Sequence, residues 1–90
     1  MSIVGVIFDT MRFAKNEAEI AERVRQFIKD ELERLEWTYA DLARELKKHG
    51  HSSETAESIK QKLKRGTFPA TFFLATLAAL GLESVSLDQI

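Results

Sequence analysis

Residues 37–46, Trp-Thr-Tyr-Ala-Asp-Leu-Ala-Arg-Glu-Leu, carry the clearest helix signal in the chain. Thr38 is followed three residues later by Asp41, a pattern typical of a helix start, because each side chain can bond the other's backbone N–H. Leu42 and Leu46 are four residues apart, so they share one face of the helix that follows. The stretch predicts a short amphipathic helix that begins after Thr38.

A long helix is predicted upstream, from about Asn16 to Leu35. Its apolar residues recur at spacings of three and four, which places them in one stripe. The stripe consists of Ile20, Val24, Phe27, Ile28, Leu32 and Leu35. Glu17 and Glu19 lie in the first turn, where negative charge suits the helix dipole. We expect the early turns to extend beyond the core and to contribute to a dimer contact.

Two further helices are predicted downstream. Ser52 and Ser53 offer N-cap chemistry for the third helix, which stops at Gly66. The inner face of this helix is formed by Ala56, Ile59 and Leu63. The fourth helix is strongly apolar, begins near Pro69 and ends at Gly81.

The first residues do not follow the helical pattern. Residues 2–8 are dominated by Val and Ile without a helical period, which predicts a short strand. A single strand in a helical chain has an unpaired edge, so it either pairs with the same strand of a second copy or lies on the helices as an apolar arm. The residues assigned to dimerisation are Ile3, Val4, Val6, Ile7 and Phe8. We therefore expect an all-α fold of four to five helices, with an N-terminal strand or arm over residues 1–15 and the helical domain over residues 16–90.

Length and composition exclude several classes of protein. Ninety residues form one domain. The absence of cysteine excludes disulfides, thiolate zinc sites and a cysteine nucleophile. No apolar run approaches the roughly 20 residues of a membrane helix, and the early apolar run lacks the preceding basic residues of an export signal. These features favour a cytoplasmic protein that does not bind membranes.

Charge is unevenly distributed along the chain. The net charge is −1, yet residues 47–65 hold six Lys and Arg against two Glu, a local balance of +4 that leaves −5 for the remaining residues. A basic segment on an acidic body favours an anionic partner at one face.

This succession of helices resembles the lambda-repressor-like (XRE-type) helix-turn-helix domain of bacterial and phage regulators. The similarity is carried by Thr-x-x-x-Leu-Ala at residues 38–43, Arg-Gly at 65–66 and Ala-Leu-Gly-Leu at 79–82, and it extends from about Ile28 to Leu82. The Thr-Tyr-Ala start, the Arg-Gly-x-Phe sequence and the Phe-Phe-Leu sequence are also similar to a small uncharacterised bacterial family of that type. The resemblance implies a homodimeric, nucleoid-associated transcriptional regulator, a repressor, that binds specific sequences of double-stranded DNA.

In such a domain the third helix enters the major groove, and its face opposite Ile59 meets the DNA. The residues assigned to base contacts are Glu54, Glu57, Ser58 and Gln61. Gln61 can read adenine, and a carboxylate can accept from cytosine N4. The residues assigned to the DNA backbone are Thr38, Tyr39, Lys60, Lys64 and Arg65. The connection before the third helix departs from the family pattern, because it is longer than the usual three or four residues.

Two other functions remain open on the sequence alone. The same fold could serve as a protein-interaction adaptor or antitoxin that uses the N-terminal segment as a partner-binding strand. It could also coat DNA with low specificity, as architectural proteins do. No enzyme activity and no cofactor are predicted, since the chain has no paired acids at a readable spacing and no Gly-rich phosphate loop. Glu45, His49 and His51 are too few for a predicted metal site.

Overall fold

The computed structural model describes residues 13–90, which form four α-helices and one short 3₁₀ helix. The α-helices are α1 (Glu17–Leu35), α2 (Tyr39–Lys47), α3 (Ala56–Arg65) and α4 (Ala70–Ala79), and the 3₁₀ helix is Leu87–Gln89. Among residues 13–90 there is no strand, so the predicted all-α class is confirmed. The strand predicted for residues 2–8 lies outside the described residues.

The two ends of α1 agree with the sequence prediction. The Asn16 side chain accepts a hydrogen bond from the Glu19 N–H at 2.9 Å and caps the first turn. After Leu35 the chain leaves the helix through Glu36, whose φ of 58° lies in the left-handed region. The Trp37 N–H then donates to the Leu32 carbonyl at 2.8 Å, which satisfies a carbonyl of the last turn.

The core lies where the inner faces of all four helices meet. Its most deeply buried members come from each helix in turn: Ile28 and Leu32, then Leu42 and Leu46, then Ile59 and Leu63, then Phe72. In α1, α2 and α3 these residues belong to the apolar face that the sequence predicts, and Phe72 lies in the helix that the sequence predicts to be strongly apolar. Ile20, one turn before Val24 on the same stripe of α1, is 39% exposed. The first turns of α1 therefore do extend beyond the core, as expected.

The connection between α2 and α3 spans residues 48–55, which confirms that it is longer than the usual helix-turn-helix link. The predicted N-caps Ser52 and Ser53 are wrong, because the cap is Thr55. The Thr55 hydroxyl accepts from the Ser58 N–H at 3.1 Å, and the Ser58 hydroxyl accepts from the Thr55 N–H at 2.8 Å. This reciprocal pair satisfies two N–H groups at once, whereas either serine alone would satisfy one.

Gly66, at the end of α3, lies in contact with α1. Its φ is 75°, and a β-carbon at this position would lie 2.5 Å from the Ala21 β-carbon. Arg25 strengthens the same junction, since its Nε donates to the Leu63 carbonyl at 2.7 Å and its Nη2 to the Lys64 carbonyl at 3.2 Å. The absence of a side chain at residue 66 thus allows α1 to approach the last turn of α3.

We expect Gly66→Ala to lower the free energy of unfolding by about 3 kcal/mol, from the left-handed backbone and from the overpacking against Ala21. Gly50→Ala is the matched control, because Gly50 has a φ of 89° and a β-carbon added there would meet nothing within 4 Å. That control should lose only about 1 kcal/mol. Urea denaturation measures both values, and equal losses would show that the contact with Ala21 does not constrain the fold.

Candidate nucleic-acid interface

Five of the predicted DNA-contacting residues of α3 lie on its solvent-exposed side: Glu57, Lys60, Gln61, Lys64 and Arg65. Residues 57, 60, 61 and 64 are spaced three and four apart, so they form one stripe opposite the buried Ile59 and Leu63. The Gln61 amide donates to the Glu57 carboxylate at 2.9 Å. The exposed stripe therefore combines two cations with a hydrogen-bonded amide–carboxylate pair.

The structure does not place Glu54 on that stripe. Its side chain is only 7% exposed, and its carboxylate accepts from Lys62 Nζ at 2.9 and 3.1 Å and from the Ser58 hydroxyl at 2.7 Å. Both carboxylate oxygens are thus directed towards the protein's own donors. We remove Glu54 from the predicted base contacts for this reason.

Ser58 is also engaged within the protein. It is half-buried, and its hydroxyl donates to Glu54 while it caps the backbone of Thr55. A hydroxyl held by partners on both sides has little capacity left for a base edge. We therefore interpret Ser58 as a capping residue rather than a base contact.

The Glu54 carboxylate is held in its charged form. Burial raises the pKa of Glu54, but hydrogen bonds from Ser58 and Lys62 and the positive charge of Lys62 outweigh burial and place the pKa below its ordinary value. Lys62 also lies over the Phe72 ring, with Nζ 5.3 Å from the ring centroid. The Glu54–Lys62 ion pair therefore attaches the end of the long connection to α3, and the contact of Lys62 with Phe72 attaches it to the core.

At the start of α2, Thr38 is exposed, but its side chain is already hydrogen-bonded within the protein. Its hydroxyl accepts from the Asp41 N–H at 3.2 Å, and its own N–H donates to the Asp41 carboxylate at 2.8 Å. These bonds confirm the predicted capping box. The hydrogen bond from the Thr38 backbone, followed by that from Arg44, lowers the pKa of Asp41. Of the two predicted backbone contacts here, Tyr39 is the one that lines a surface bounded by basic residues of α1 and α3.

That surface is a cleft of about 440 Å³ between α1, the start of α2 and α3. Its lining residues are Arg25, Lys29, Tyr39, Lys60, Leu63 and Lys64. Four of them are basic and none is acidic. Within the described part of the chain, Lys29, Lys60 and Lys64 form no ion pair, whereas Arg25 pairs with Glu22. The cleft therefore concentrates positive charge beside the exposed stripe of α3.

Sequence reasoning missed the contribution of α1 to this cleft. Arg25 and Lys29 are four residues apart, so they lie on one side of α1, adjacent to the buried Ile28 and Leu32. That spacing was available from the sequence alone. The spacing does not show that these two residues lie near Lys60 and Lys64, because that proximity arises from the packing of α1 on α3.

Two structural features are absent from residues 13–90, a cluster of metal ligands and a membrane-spanning helix. Among residues 13–90, no group of three or more His, Cys, Asp or Glu is placed to hold a metal ion. Glu45, which the sequence places near His49, instead accepts a hydrogen bond from Lys48 at 3.0 Å. None of the helices formed by residues 13–90 has the length and apolar character to cross a membrane.

The sequence profile of a protein family described as Domain of unknown function (DUF6471) matches residues 20–85. The matched span contains α2, α3, α4 and most of α1, and it therefore includes every residue of the basic cleft. No significant match to a curated protein or to a solved structure was found.

We expect Glu54→Gln to lower the free energy of unfolding by about 2 kcal/mol at pH 7, because Lys62 then loses its charged partner in a buried place. Since the folded pKa lies below the ordinary value of 4.5, the carboxylate contributes stability that is complete above pH 4.5 and is lost as the pH falls through the folded pKa. The difference between variant and wild type should therefore shrink in acid. Thermal unfolding between pH 7 and pH 3 measures it.

Glu57→Gln is the control for this prediction, since Glu57 lies three residues further along, in the first turn of α3, but is exposed. Its effect should stay within about 0.5 kcal/mol at all pH values. A Glu54→Gln difference that is the same at pH 7 and pH 3 would contradict the assigned role of the ion pair.

Proposed function

The chain belongs to a family of domains of unknown function (DUF6471), and from the geometry of its basic cleft we propose that it is a transcriptional regulator that binds double-stranded DNA. It acts as a homodimeric, nucleoid-associated repressor with α3 in the major groove. The observation that carries the proposal is the convergence of Lys29, Lys60 and Lys64 around Tyr39, next to the exposed stripe of α3.

The cleft supplies the contacts to the DNA backbone. Phosphate contacts provide most of the affinity and fix the register of a protein on the duplex, and lysines are suited to them. Tyr39 is the first residue of α2, where helix N–H groups without intrahelical partners favour an anion. A phosphate at this position would meet cations from both α1 and α3.

The stripe of α3 supplies the contacts to the bases. Gln61 carries the donor and acceptor that read adenine, and Glu57 can accept from cytosine N4. Their mutual hydrogen bond is exposed, unlike the buried bonds of Glu54, so it can be exchanged for bonds to the bases. Lys60 and Lys64 alternate with these residues along the same side, which offsets the repulsion between the Glu57 carboxylate and phosphate. One helix of ten residues offers few base contacts, so a two-fold pair on a palindromic site is the arrangement that gives useful specificity.

Selection from a pool of genomic fragments at about 150 mM salt is the direct test of specificity. Enrichment of a short palindrome is the expected result, and it would also give the spacing of the half-sites. Uniform retention would favour architectural DNA binding instead. No retention by the folded protein would refute the DNA proposal and favour a protein-interaction adaptor or antitoxin.

We expect Lys60→Ala with Lys64→Ala to weaken DNA binding at least about tenfold and to reduce the slope of log affinity against log salt by about 2, as two phosphate contacts are lost. Lys47→Ala with Lys48→Ala removes the same charge from the far end of α2 and is the matched control. Its affinity and salt slope should stay close to wild type. Fluorescence anisotropy with a labelled duplex measures both, and equal effects of the two double variants would contradict an interface at the cleft.

Gln61→Ala tests the base contacts separately. It should weaken binding to the selected sequence by about 1–3 kcal/mol, while binding to an unrelated duplex stays unchanged because no phosphate contact is lost. An equal loss on both duplexes would show that Gln61 does not read sequence.

A further inference from the structure

A second cavity, of about 360 Å³, adjoins the basic cleft. Its lining residues are Lys29, Leu32, Glu33, Trp37, Thr38 and Tyr39. Lys29 and Tyr39 line the basic cleft as well, so the two cavities are neighbours that meet at this pair. We call the second one the aromatic cavity. Each of the two has a volume in the range of small-molecule sites in proteins.

The two cavities differ in their chemistry. The basic cleft has four basic residues and no acidic one, whereas the aromatic cavity combines Trp37 and Tyr39 with the buried Leu32. Trp37 and Tyr39 are half-buried and pack against the core, so both side chains are held in place while they still border the cavity. A flat ring system therefore fits the aromatic cavity, and a chain of phosphates fits the basic cleft.

Glu33 gives the aromatic cavity a hydrogen-bond acceptor. Three other glutamates of α1, Glu19, Glu22 and Glu31, pair with arginines of the same helix, but among the described residues no ion pair involves the exposed Glu33. Guanine presents two donors on one edge, its N1–H and its N2 amino group, and one carboxylate accepts both. The corresponding edge of adenine has one donor and one acceptor, so Glu33 favours guanine.

Duplex DNA is a poor occupant of the aromatic cavity, because its bases are paired and stacked, and extruding one of them costs energy. A free nucleotide instead carries an unpaired base and a phosphate chain on one small molecule. The phosphate chain requires cations, and Lys29, Lys60 and Lys64 converge in the cleft without an ion pair to any described residue. The neighbouring cavities thus match the two halves of a nucleotide.

We propose that the basic cleft and the aromatic cavity together bind a guanine nucleotide that carries a di- or triphosphate. The base stacks on Trp37 and Tyr39 and donates to Glu33, while the phosphate chain lies on the three lysines of the cleft. These lysines are also the proposed contacts to the DNA backbone. Nucleotide and duplex therefore exclude each other, and this regulation rests on the proposed function.

Titration calorimetry of the full chain with GTP is the first test, and the fluorescence of Trp37, the only tryptophan, reports where the base lies. One GTP should bind per chain and change the Trp37 fluorescence. Guanosine and inorganic triphosphate should each bind at least about tenfold more weakly, because each lacks either the phosphate contacts or the stacking. No binding of GTP at millimolar concentration would overturn the proposal. Binding without a fluorescence change, or inorganic triphosphate that binds as tightly as GTP, would do the same.

Glu33→Gln tests the contact to the base apart from the contacts to the phosphates. The wild type should prefer GTP to ATP by about tenfold, since a hydrogen bond to a charged group is lost with adenine. The variant should lose most of this preference. Glu36→Gln is the matched control, because Glu36 is exposed at the same end of α1 and lines neither cavity. An undiminished preference in Glu33→Gln would contradict the assigned base site.

Competition with a labelled duplex tests whether the two ligands share the lysines. GTP should release the duplex more effectively than NaCl of equal ionic strength. A complex that holds duplex and GTP together would overturn the shared site. A short single strand containing guanine that binds more tightly than GTP would overturn the choice of a free nucleotide as the occupant.

Failure of this proposal and failure of the proposed function are distinguishable. If the protein binds no duplex, calorimetry with GTP still decides whether the two cavities hold a nucleotide. If the protein binds no GTP, the Lys60 and Lys64 substitutions still weaken duplex binding.

Discussion

The approach of Gly66 to Ala21 is the contact on which the positions of the other elements depend. It places the last turn of α3 against α1, and Arg25 holds the junction by donating to two carbonyls of that turn. The inner face of α3 is meanwhile packed against α2. With both its end and its inner face fixed, α3 has one orientation, and its exposed stripe lies beside the cations of α1.

The long connection between α2 and α3 would loosen this arrangement if it were free to move. It is held at its end by Glu54, whose carboxylate bonds Lys62 two turns along α3. Near its middle, the His51 ring packs against the Phe72 ring in a T-shaped arrangement, with the ring centroids 6.2 Å apart. The additional residues are thus attached to α3 and to α4, so a connection of unusual length is compatible with a fixed α3.

The fold was more predictable from the sequence than the candidate site. Apolar spacing identified α1, α2 and α3 and their buried faces, because burial of one side of a helix leaves a strong period in the sequence. The fourth helix was identified by its apolar composition between Pro69 and Gly81, which does not distinguish its buried side from its exposed side. The cap of α3 was misplaced because Ser52, Ser53 and Thr55 all have N-cap chemistry, and only the reciprocal bond with Ser58 distinguishes them. Glu54 was assigned to a base contact because it falls opposite Ile59 on a helical wheel, but α3 begins only at Ala56 and the Glu54 carboxylate instead bonds Lys62. Lys29 was missed because its proximity to Lys60 and Lys64 is a property of the tertiary structure.

The uneven charge of the chain has a consequence for how it meets a polyanion. With +4 in residues 47–65 and −5 elsewhere, the chain combines a nearly vanishing net charge with charges of opposite sign in different segments, a distribution that favours an electric dipole. A dipole in the field of a charged rod experiences a torque rather than a strong pull, so orientation is selected before contact is made. The effect acts over about 10 Å at 0.1 M salt. For the proposed encounter with DNA, this charge distribution would favour alignment over the indiscriminate attraction that a uniformly basic surface produces.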